Sequence, residues 1–190
     1  VKWDKSYSYP ILIIKHTGVD GTETSYTYRP DGLRHPKGDA RHIWDGTNLT
    51  AELENGVVTS KYIRGTSLLA SVDSNGGKRY YSYNGHGDVV ELSGADGEVQ
   101  WRYDYDAFGN ERSIAGQDSS QDTNPFRYCG EYYDTETGKL YLRARYYDPT
   151  IGRFMSEDSI RARHMNLYDP YGNYQDVFLM GGVYSDWMEY

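Results

Sequence analysis

The stretch "YDYDAFGN", residues 103–110, places carboxylates at alternate positions beside phenol rings, an arrangement that could do chemistry. Asp104 and Asp106 could hold a hard cation such as Ca²⁺, which prefers oxygen ligands. The stretch lacks the glycine and terminal glutamate positions of an EF-hand loop, so we do not expect calcium binding. The alternative is that Asp106 opens a turn that closes at Gly109. The elements on either side decide between the two interpretations.

Two histidines and a cysteine are the other candidate ligands or nucleophiles. His35 and His42 end the segment "HPKGDARH", but their spacing fits no standard metal site, so we predict a loop with solvated histidines. Cys129 is the chain's single cysteine. Since it cannot form an internal disulfide, we predict a small buried side chain and not a nucleophile. The sequence therefore predicts no metal site and no cofactor.

Composition favours β-structure built on tyrosine. The chain has 190 residues, enough for one domain with its own core. Only 37% of them are hydrophobic, whereas 21 are tyrosine and 21 are glycine. Tyrosine is a strand former with a polar tip, and glycine supplies the positive φ that short turns require. Much of the core must therefore come from amphipathic rings.

Charge and hydropathy exclude two classes of partner. The formal net charge is −8, whereas nucleic-acid binding requires clustered lysine and arginine, so we expect no nucleic-acid partner. No apolar run approaches the length of about 18 residues that a membrane span needs. The chain opens at Val1 without a starting methionine or signal peptide. We therefore expect a fragment of a longer protein.

A short motif, Tyr followed by a polar residue, two further residues and Gly, recurs along the chain. The copies are "YRPDG" at Tyr28, "YNGHG" at Tyr83, "YDAFG" at Tyr105 and "YDPYG" at Tyr168, with the longer "YDPTIG" at Tyr147. From Tyr83 onward these tyrosines are 22, 42 and 21 residues apart. This spacing is one repeat length, two, and one, which is typical of a repeat architecture.

Each copy has the residues of a turn, and alternating residues precede it. An Asp or Asn opens the turn through a hydrogen bond to a backbone N–H, and the glycine closes it with positive φ. We expect hairpins to bend at Asn84 to Gly87, Asp106 to Gly109 and Thr135 to Gly138, and another turn from Asp148 to Gly152. The predicted fold is all-β, with repeated antiparallel hairpins forming a curved sheet.

Aromatic residues before the second of these turns share one strand face, because Trp101, Tyr103 and Tyr105 alternate with polar residues. Such a row could stack on sugar rings or pack against neighbouring strands, and we favour packing.

The residues 124–160, "NPFRYCGEYYDTETGKLYLRARYYDPTIGRFMSEDSI", resemble the RHS-repeat-associated core, whose signature is "YDxETGLYYLRARYYDPxxGRF". The repeats before it resemble those of YD-repeat or RHS-repeat proteins. This resemblance implies a segment of a β-sheet shell. Such shells enclose the C-terminal toxin of bacterial polymorphic toxins and insecticidal toxin complexes, and animal teneurins use a related barrel for adhesion.

In many bacterial members the core includes an aspartic protease that releases the toxin. The resemblance makes Arg153, Asp158 and Asp169 the catalytic candidates here, with the arginine orienting the two carboxyl groups. This chain departs from the family pattern, however, because Ser159 stands where proline is usual and "NLYDPYG" lacks the family's "NNP" connection. We therefore expect no self-cleavage.

The resemblance implies a domain organisation and a function. We expect a repeat array over residues 1–160, with the core at 124–160, and a divergent tail at 161–190. The expected function is a structural, non-enzymatic module of a shell that encloses or presents a C-terminal toxin or effector in a secreted or cell-surface bacterial protein. The expected partners are upstream repeats of the same protein and a toxin domain. The alternatives are a carbohydrate or cell-surface adhesion module and a self-cleaving protease core.

Overall fold

The computed structural model describes residues 2–3 and 12–156, and this part of the chain is built from short strands. They are β1 (Lys2–Trp3), β2 (Ile13–Thr17), β3 (Glu23–Tyr28), β4 (Arg34–Lys37), β5 (Ala40–Asp45), β6 (Asn48–Glu54), β7 (Val57–Arg64), β8 (Leu68–Asp73), β9 (Lys78–Tyr83), β10 (Val89–Gly94), β11 (Val99–Arg102), β12 (Tyr132–Asp134), β13 (Lys139–Leu142), β14 (Arg145–Asp148) and β15 (Arg153–Phe154). Two single-turn 3₁₀ helices, Ser119–Gln121 and Tyr128–Gly130, lie between β11 and β12.

The strands form two antiparallel sheets, and within each sheet every strand pairs with its neighbours in the chain. Strands β1 to β11 form an eleven-stranded sheet in sequence order, and β12 to β15 form a four-stranded sheet. This arrangement confirms the predicted all-β fold of antiparallel hairpins. None of the helical turns in the described residues is long and apolar enough to cross a bilayer.

Alternation along the strands determines which face is buried. In β7, Tyr62 is buried while the next residue, Ile63, is 48% exposed. In β3, Tyr26 is 2% exposed, between two exposed threonine and serine neighbours. Because successive side chains of a strand point to opposite faces, one face of the sheet carries the tyrosines of the core.

The turns use the polar and glycine residues of the repeat. Asp106 accepts hydrogen bonds from the backbone N–H groups of Phe108, at 2.8 Å, and Asn110, at 3.0 Å. Gly87 and Gly109 both have φ of +89°, in the region that favours glycine. At Gly109 there is a further constraint, since a Cβ atom would lie 2.5 Å from the Tyr128 ring.

The main hydrophobic cluster combines buried side chains from both sheets. Its members include Leu12, Ile13, Tyr26, Leu49, Tyr62, Leu68, Val89, Leu92, Tyr103, Phe126, Tyr132, Tyr141 and Tyr146. A second, smaller cluster contains Tyr128, Cys129, Leu140 and Tyr147. The second half of the described chain therefore packs on the first half.

The prediction of a loop with solvated histidines at "HPKGDARH" is wrong. His35 lies in β4 and His42 in β5, and Lys37 pairs with Ala40 across a tight hairpin. His42 is only 2% exposed. The alternation of the segment was hidden because its buried positions are occupied by arginine and histidine instead of apolar residues.

Candidate functional site: the interface between the two sheets

We call the packed layer between the eleven-stranded sheet and residues 122–148 the inter-sheet interface. At its centre, the first residue of β4, Arg34, meets the last residue of β12, Asp134. The Arg34 Nη1 atom lies 2.5 Å from Asp134 Oδ2, and both side chains are fully buried. An ion pair of this kind requires many compensating contacts, because burial removes both charges from water.

Tyrosine rings surround the Arg34 guanidinium. Its carbon lies 4.3 Å from the centroid of Tyr141, 4.9 Å from that of Tyr132 and 5.5 Å from that of Tyr26. Among the described residues, Nε and Nη2 meet no hydrogen-bond acceptor, so these ring faces are their immediate electrostatic partners. Tyr146 accepts a hydrogen bond from Nη1 at 3.2 Å. The rings thus replace part of the lost hydration.

Lys37 and Glu136 extend the ionic group towards the surface. The Lys37 Nζ atom lies 2.9 Å from Asp134 Oδ1 and 3.0 Å from Glu136 Oε2. Burial of Asp134 opposes ionisation, but the two cations, Arg34 and Lys37, outweigh it and lower the pKa of this carboxyl. Tyr26 donates its hydroxyl to Glu136 at 2.5 Å. The β3–β4 hairpin and the β12–β13 turn are therefore joined by charge.

A second polar group lies beside the first, around the carboxylate of Glu52 in β6. Tyr132 and Tyr62 donate their hydroxyls to it at 2.6 and 2.8 Å. His42 Nε2 is 3.3 Å away, but no aligned hydrogen bond reaches either of its ring nitrogens from the described residues. Although burial alone would raise the pKa of Glu52, His42 and the two tyrosines lower it to about 2. Burial lowers the pKa of His42.

Asn124 marks the point where the chain enters the interface. This residue is 1% exposed. Its side chain accepts a hydrogen bond from the Tyr81 hydroxyl at 2.7 Å and donates one to the Tyr103 hydroxyl at 3.1 Å. Tyr103 in turn donates to Asp122 at 2.8 Å. Tyr81 of β9 and Tyr103, which follows β11, are therefore hydrogen-bonded to residues that come later in the chain.

A cleft of about 470 Å³ opens at one side of the interface, between the β5–β6 and β7–β8 ends and the residues around Glu131. Arg143 binds the Glu131 carboxylate through two bonds, at 2.8 and 2.6 Å, while Arg64 lies on the Phe126 ring at 5.0 Å. Burial lowers the pKa of Arg64. The two arginines give this cleft a polar wall beside aromatic rings.

Of the three catalytic candidates, the structure describes one. Arg153 lies in β15, is exposed, and pairs in register with Asp148. Asp158 and Asp169 lie outside the described residues. The expectation about self-cleavage therefore stays a prediction.

The three aromatic candidates for binding differ in exposure. Tyr103 is 4% exposed, whereas Trp101 and Tyr105 are half-buried. The rings of Tyr103 and Tyr105 are stacked, with centroids 6.2 Å apart and planes 9° apart, and Tyr105 donates its hydroxyl to the carbonyl of Val89 at 3.0 Å. The surface that a ligand could reach here belongs to Trp101 and Tyr105.

The remaining turn candidates hold the end of the core segment. Asp148 accepts hydrogen bonds from the backbone and side chain of Thr150, at 3.0 and 2.6 Å, and from Lys139 at 2.5 Å. Gly152 has φ of +63°, and a Cβ atom there would lie 2.8 Å from the Phe108 ring. Two successive repeat turns, 106–109 and 148–152, are therefore packed against each other.

Sequence reasoning missed the residues at the centre of the interface: Arg34, Asp134, Glu52 and Asn124. In the sequence alone, nothing distinguishes Arg34, Asp134 and Glu52 from charged residues that face solvent. One usable signal is position, since Arg34 and His42 occupy inward-facing sites of two strands in a chain with few aliphatic residues. The partner of Arg34, Asp134, is 100 residues further along the chain, so no local sequence pattern connects the two.

This architecture defines a class of protein: a strip of consecutive antiparallel hairpins whose tyrosine-rich face is covered by a following segment. The family model described as "Teneurin YD-shell" matches residues 54–179. The chain belongs to this family, and the resemblance to RHS and YD-repeat proteins is confirmed.

Curated relatives and solved structures agree with this assignment. The chain is 37% identical over 164 residues to "tRNA3(Ser)-specific nuclease WapA" of Bacillus spizizenii, covering 82% of this chain and 7% of the relative. It is 30% identical over 185 residues to "Double-stranded DNA deaminase toxin A" of Burkholderia cenocepacia, covering 78% of this chain and 13% of the relative. The chain thus spans a small fraction of the curated relatives that it matches.

The fold is similar to chains in crystal structures entitled "TcdB2-TccC3-Cdc42" and "TcdB2-TccC3". The TM-scores are 0.60 and 0.58, the identities are 19% and 20%, and the matches cover 95% and 83% of this chain. They cover 10% and 9% of the respective structures. At these identities the similarity concerns the fold alone.

Proposed function

We propose that this chain is a structural module of a YD-repeat shell that encloses or presents a C-terminal toxin or effector. The observation that carries the proposal is the buried pair of Arg34 and Asp134. It fastens residues 122–148 onto the tyrosine face of the hairpin strip, so the segment before any following domain is held by the shell itself. A hairpin strip covered in this way forms part of a shell wall and fixes the position of residues 122–148 on it.

The module is proposed to have no turnover of its own. Relatives are named as a nuclease and a deaminase toxin, yet this chain corresponds to only 7% and 13% of their lengths. Among the described residues, Arg34 and Asp134 are paired with each other within the interface, and Glu131, which lines the cleft, is paired with Arg143. Its net charge of −8 argues against a nucleic-acid partner for this module.

The proposed partners are upstream repeats of the same polypeptide and a following toxin domain. Among the described residues, β1 and β11 each pair with a strand on one side only, which supports the first, because unpaired strand edges accept further strands. The proposed location is the cell surface or the secreted fraction of a bacterium, and the support for it is the relative from Burkholderia cenocepacia that is named a toxin.

Protease protection in the natural polypeptide that contains this chain tests the proposal. We expect the segment after residue 190 to resist a broad-specificity protease in the parent and to be cut at least tenfold faster in an Asp134→Asn variant, whose interface is opened. The matched control is Arg112→Gln, which removes an exposed ion pair with Asp104. Equal cleavage of that segment in the parent and in Asp134→Asn would argue against enclosure.

A carbohydrate or cell-surface adhesion module is the second proposal, favoured by the partial exposure of Trp101 and Tyr105. Aromatic faces of this kind can stack on sugar rings. Saturable binding on a glycan array that is lost in Trp101→Ala, and retained in a control such as Tyr80→Ala on β9, would support it. Absence of saturable glycan binding by the parent would contradict the adhesion proposal.

A further inference from the structure

Three side chains with different metal-ligand chemistry meet where the "YNGHG" turn contacts the 3₁₀ helix Tyr128–Gly130. They are the imidazole of His86, the carboxylate of Asp88 and the thiol of Cys129. One ligand atom from each lies within 4.8 Å of the other two. The cluster lies at the part of the inter-sheet interface that borders the cleft, and it joins the eleven-stranded sheet to the segment that covers it.

We propose that His86, Asp88 and Cys129 bind one Zn²⁺-class divalent cation. Imidazole, thiolate and carboxylate are the three ligand types that zinc uses in proteins, and a thiolate disfavours the hard cations Mg²⁺ and Ca²⁺. Three protein ligands leave a fourth tetrahedral position for a water molecule. The His86 side chain is 41% exposed, so the cluster is reachable from solvent. This proposal is independent of the proposed function of the shell.

The distances are close to those of a tetrahedral site. His86 Nδ1 lies 2.9 Å from Asp88 Oδ1 and 3.9 Å from Cys129 Sγ. Zinc–ligand bonds of about 2.0 to 2.3 Å at tetrahedral angles separate nitrogen from oxygen by about 3.4 Å and nitrogen from sulfur by about 3.6 Å. The two distances from His86 thus differ from these values by about 0.5 Å or less, and the Asp88 and Cys129 ligand atoms lie within 4.8 Å of each other.

Hydrogen bonds and ring packing orient the three ligands. Asp88 Oδ2 accepts a hydrogen bond from Asn84 Nδ2 at 2.8 Å. Asp88 Oδ1, the oxygen that faces His86, accepts one from the backbone N–H of Cys129 at 2.8 Å. The His86 ring packs on Tyr128, with centroids 5.5 Å apart. Such outer contacts orient metal ligands and commonly change affinity by about 10- to 100-fold.

Binding of the ion would exchange a proton at one of the three ligands. When the cation binds, the thiol proton leaves to solvent and the imidazole keeps its remaining proton on Nε2, so one proton is released per ion.

The same geometry argues against a cysteine nucleophile. In a nucleophile, base and acid relay, the histidine uses one ring nitrogen for the nucleophile and the other for the carboxylate. Here the single Nδ1 atom of His86 faces both Asp88 and Cys129. Metal binding is therefore the chemistry that suits this cluster.

Cobalt titration of the 190-residue chain, after treatment with a chelator, tests the proposal. We expect a thiolate-to-cobalt charge-transfer band that saturates at one Co²⁺ per chain and disappears on addition of Zn²⁺. The band should vanish in Cys129→Ala, and Co²⁺ binding should weaken at least tenfold in His86→Gln. His16→Gln, which changes a histidine of β2 far along the chain, should leave the band unchanged.

A second measurement covers variants that fold poorly. Circular dichroism establishes that each variant retains the β spectrum of the parent, and Zn²⁺ should raise the unfolding temperature of the parent but not that of Cys129→Ala. No charge-transfer band in the parent would overturn the proposal. A band of parental affinity in folded His86→Gln would overturn it as well, because the thiolate would then bind cobalt without the cluster.

Discussion

Removal of the charge on Asp134 is expected to destabilise the chain more than any other single change at the inter-sheet interface. Asp134→Asn leaves the fully buried Arg34 guanidinium without its counter-ion, 2.5 Å from an amide in place of a carboxylate. Loss of one partner from a buried ion pair costs about 3 to 5 kcal/mol. Lys37, which is 17% exposed, can turn towards water and adds little to this cost.

Arg34→Met should cost less than Asp134→Asn. The Asp134 carboxylate would keep its contact with Lys37 at 2.9 Å, so the remaining charge would not be alone. Methionine would also retain part of the packing against the tyrosine rings. We therefore expect a loss near the lower end, about 3 kcal/mol, for this variant.

Urea denaturation followed by tryptophan fluorescence measures these differences, with Lys15→Met as the control. Lys15 forms a partly exposed pair with Glu23, for which a loss of less than about 1 kcal/mol is expected. The double variant Arg34→Met/Asp134→Leu removes both buried charges and should be more stable than Asp134→Asn. Midpoints of Asp134→Asn and parent that agree within error would refute the reasoning, because a buried arginine cannot lose its counter-ion without cost.

Three further outcomes are expected. Gly109→Val should lower the free energy of unfolding more than Gly87→Val, since both glycines have φ of +89° but only Gly109 has the Tyr128 ring 2.5 Å from an added Cβ; urea denaturation should give about 1 to 3 kcal/mol for backbone strain alone, and equal losses would contradict the packing argument. Burial lowers the pKa of His42 below its ordinary value of 6.5, so stability should be full above that pH and decline as pH falls below it. Unfolding measured from pH 7.5 to 5 should show a shallower decline in His42→Phe, and identical slopes would count against a neutral buried histidine. Intact mass after days at pH 5 and pH 7 should be unchanged in the parent, as in Asp158→Asn and Asp169→Asn; a parent that loses its tail while either variant keeps it would establish self-cleavage.

The hairpins could be predicted from the sequence because their signals are local. The turn at 84–87 needs an Asn that accepts backbone hydrogen bonds and a glycine with positive φ, and both lie within four residues. Strand alternation is likewise a property of adjacent residues. Antiparallel pairing of neighbours in the chain then follows from the short connections.

The contents of the interface could not be predicted, since its contacts join distant residues. The partner of Tyr132 is Glu52, and the partner of Cys129 is Asp88, at separations of 80 and 41 residues. A single sequence does not show which of several similar tyrosine rows faces a given carboxylate. The loop prediction for residues 35–42 was wrong for a related reason, because a strand with polar residues at its buried positions lacks the apolar alternation by which strands are recognised.

Repetition itself gives the buried charges a reason to be there. Strands that resemble one another can pair in several registers, and a shift by one residue would turn the tyrosine face of a strand outward. An apolar layer would tolerate such shifts, whereas Asp134 meets Arg34 and Lys37 in one register alone. We therefore infer that the ion pair specifies which hairpin the core segment covers, at some cost in stability. The double variant Arg34→Met/Asp134→Leu separates the two effects: slower exchange of interface amides than in the parent would contradict a role in register, while faster exchange at equal or higher stability is the expected result.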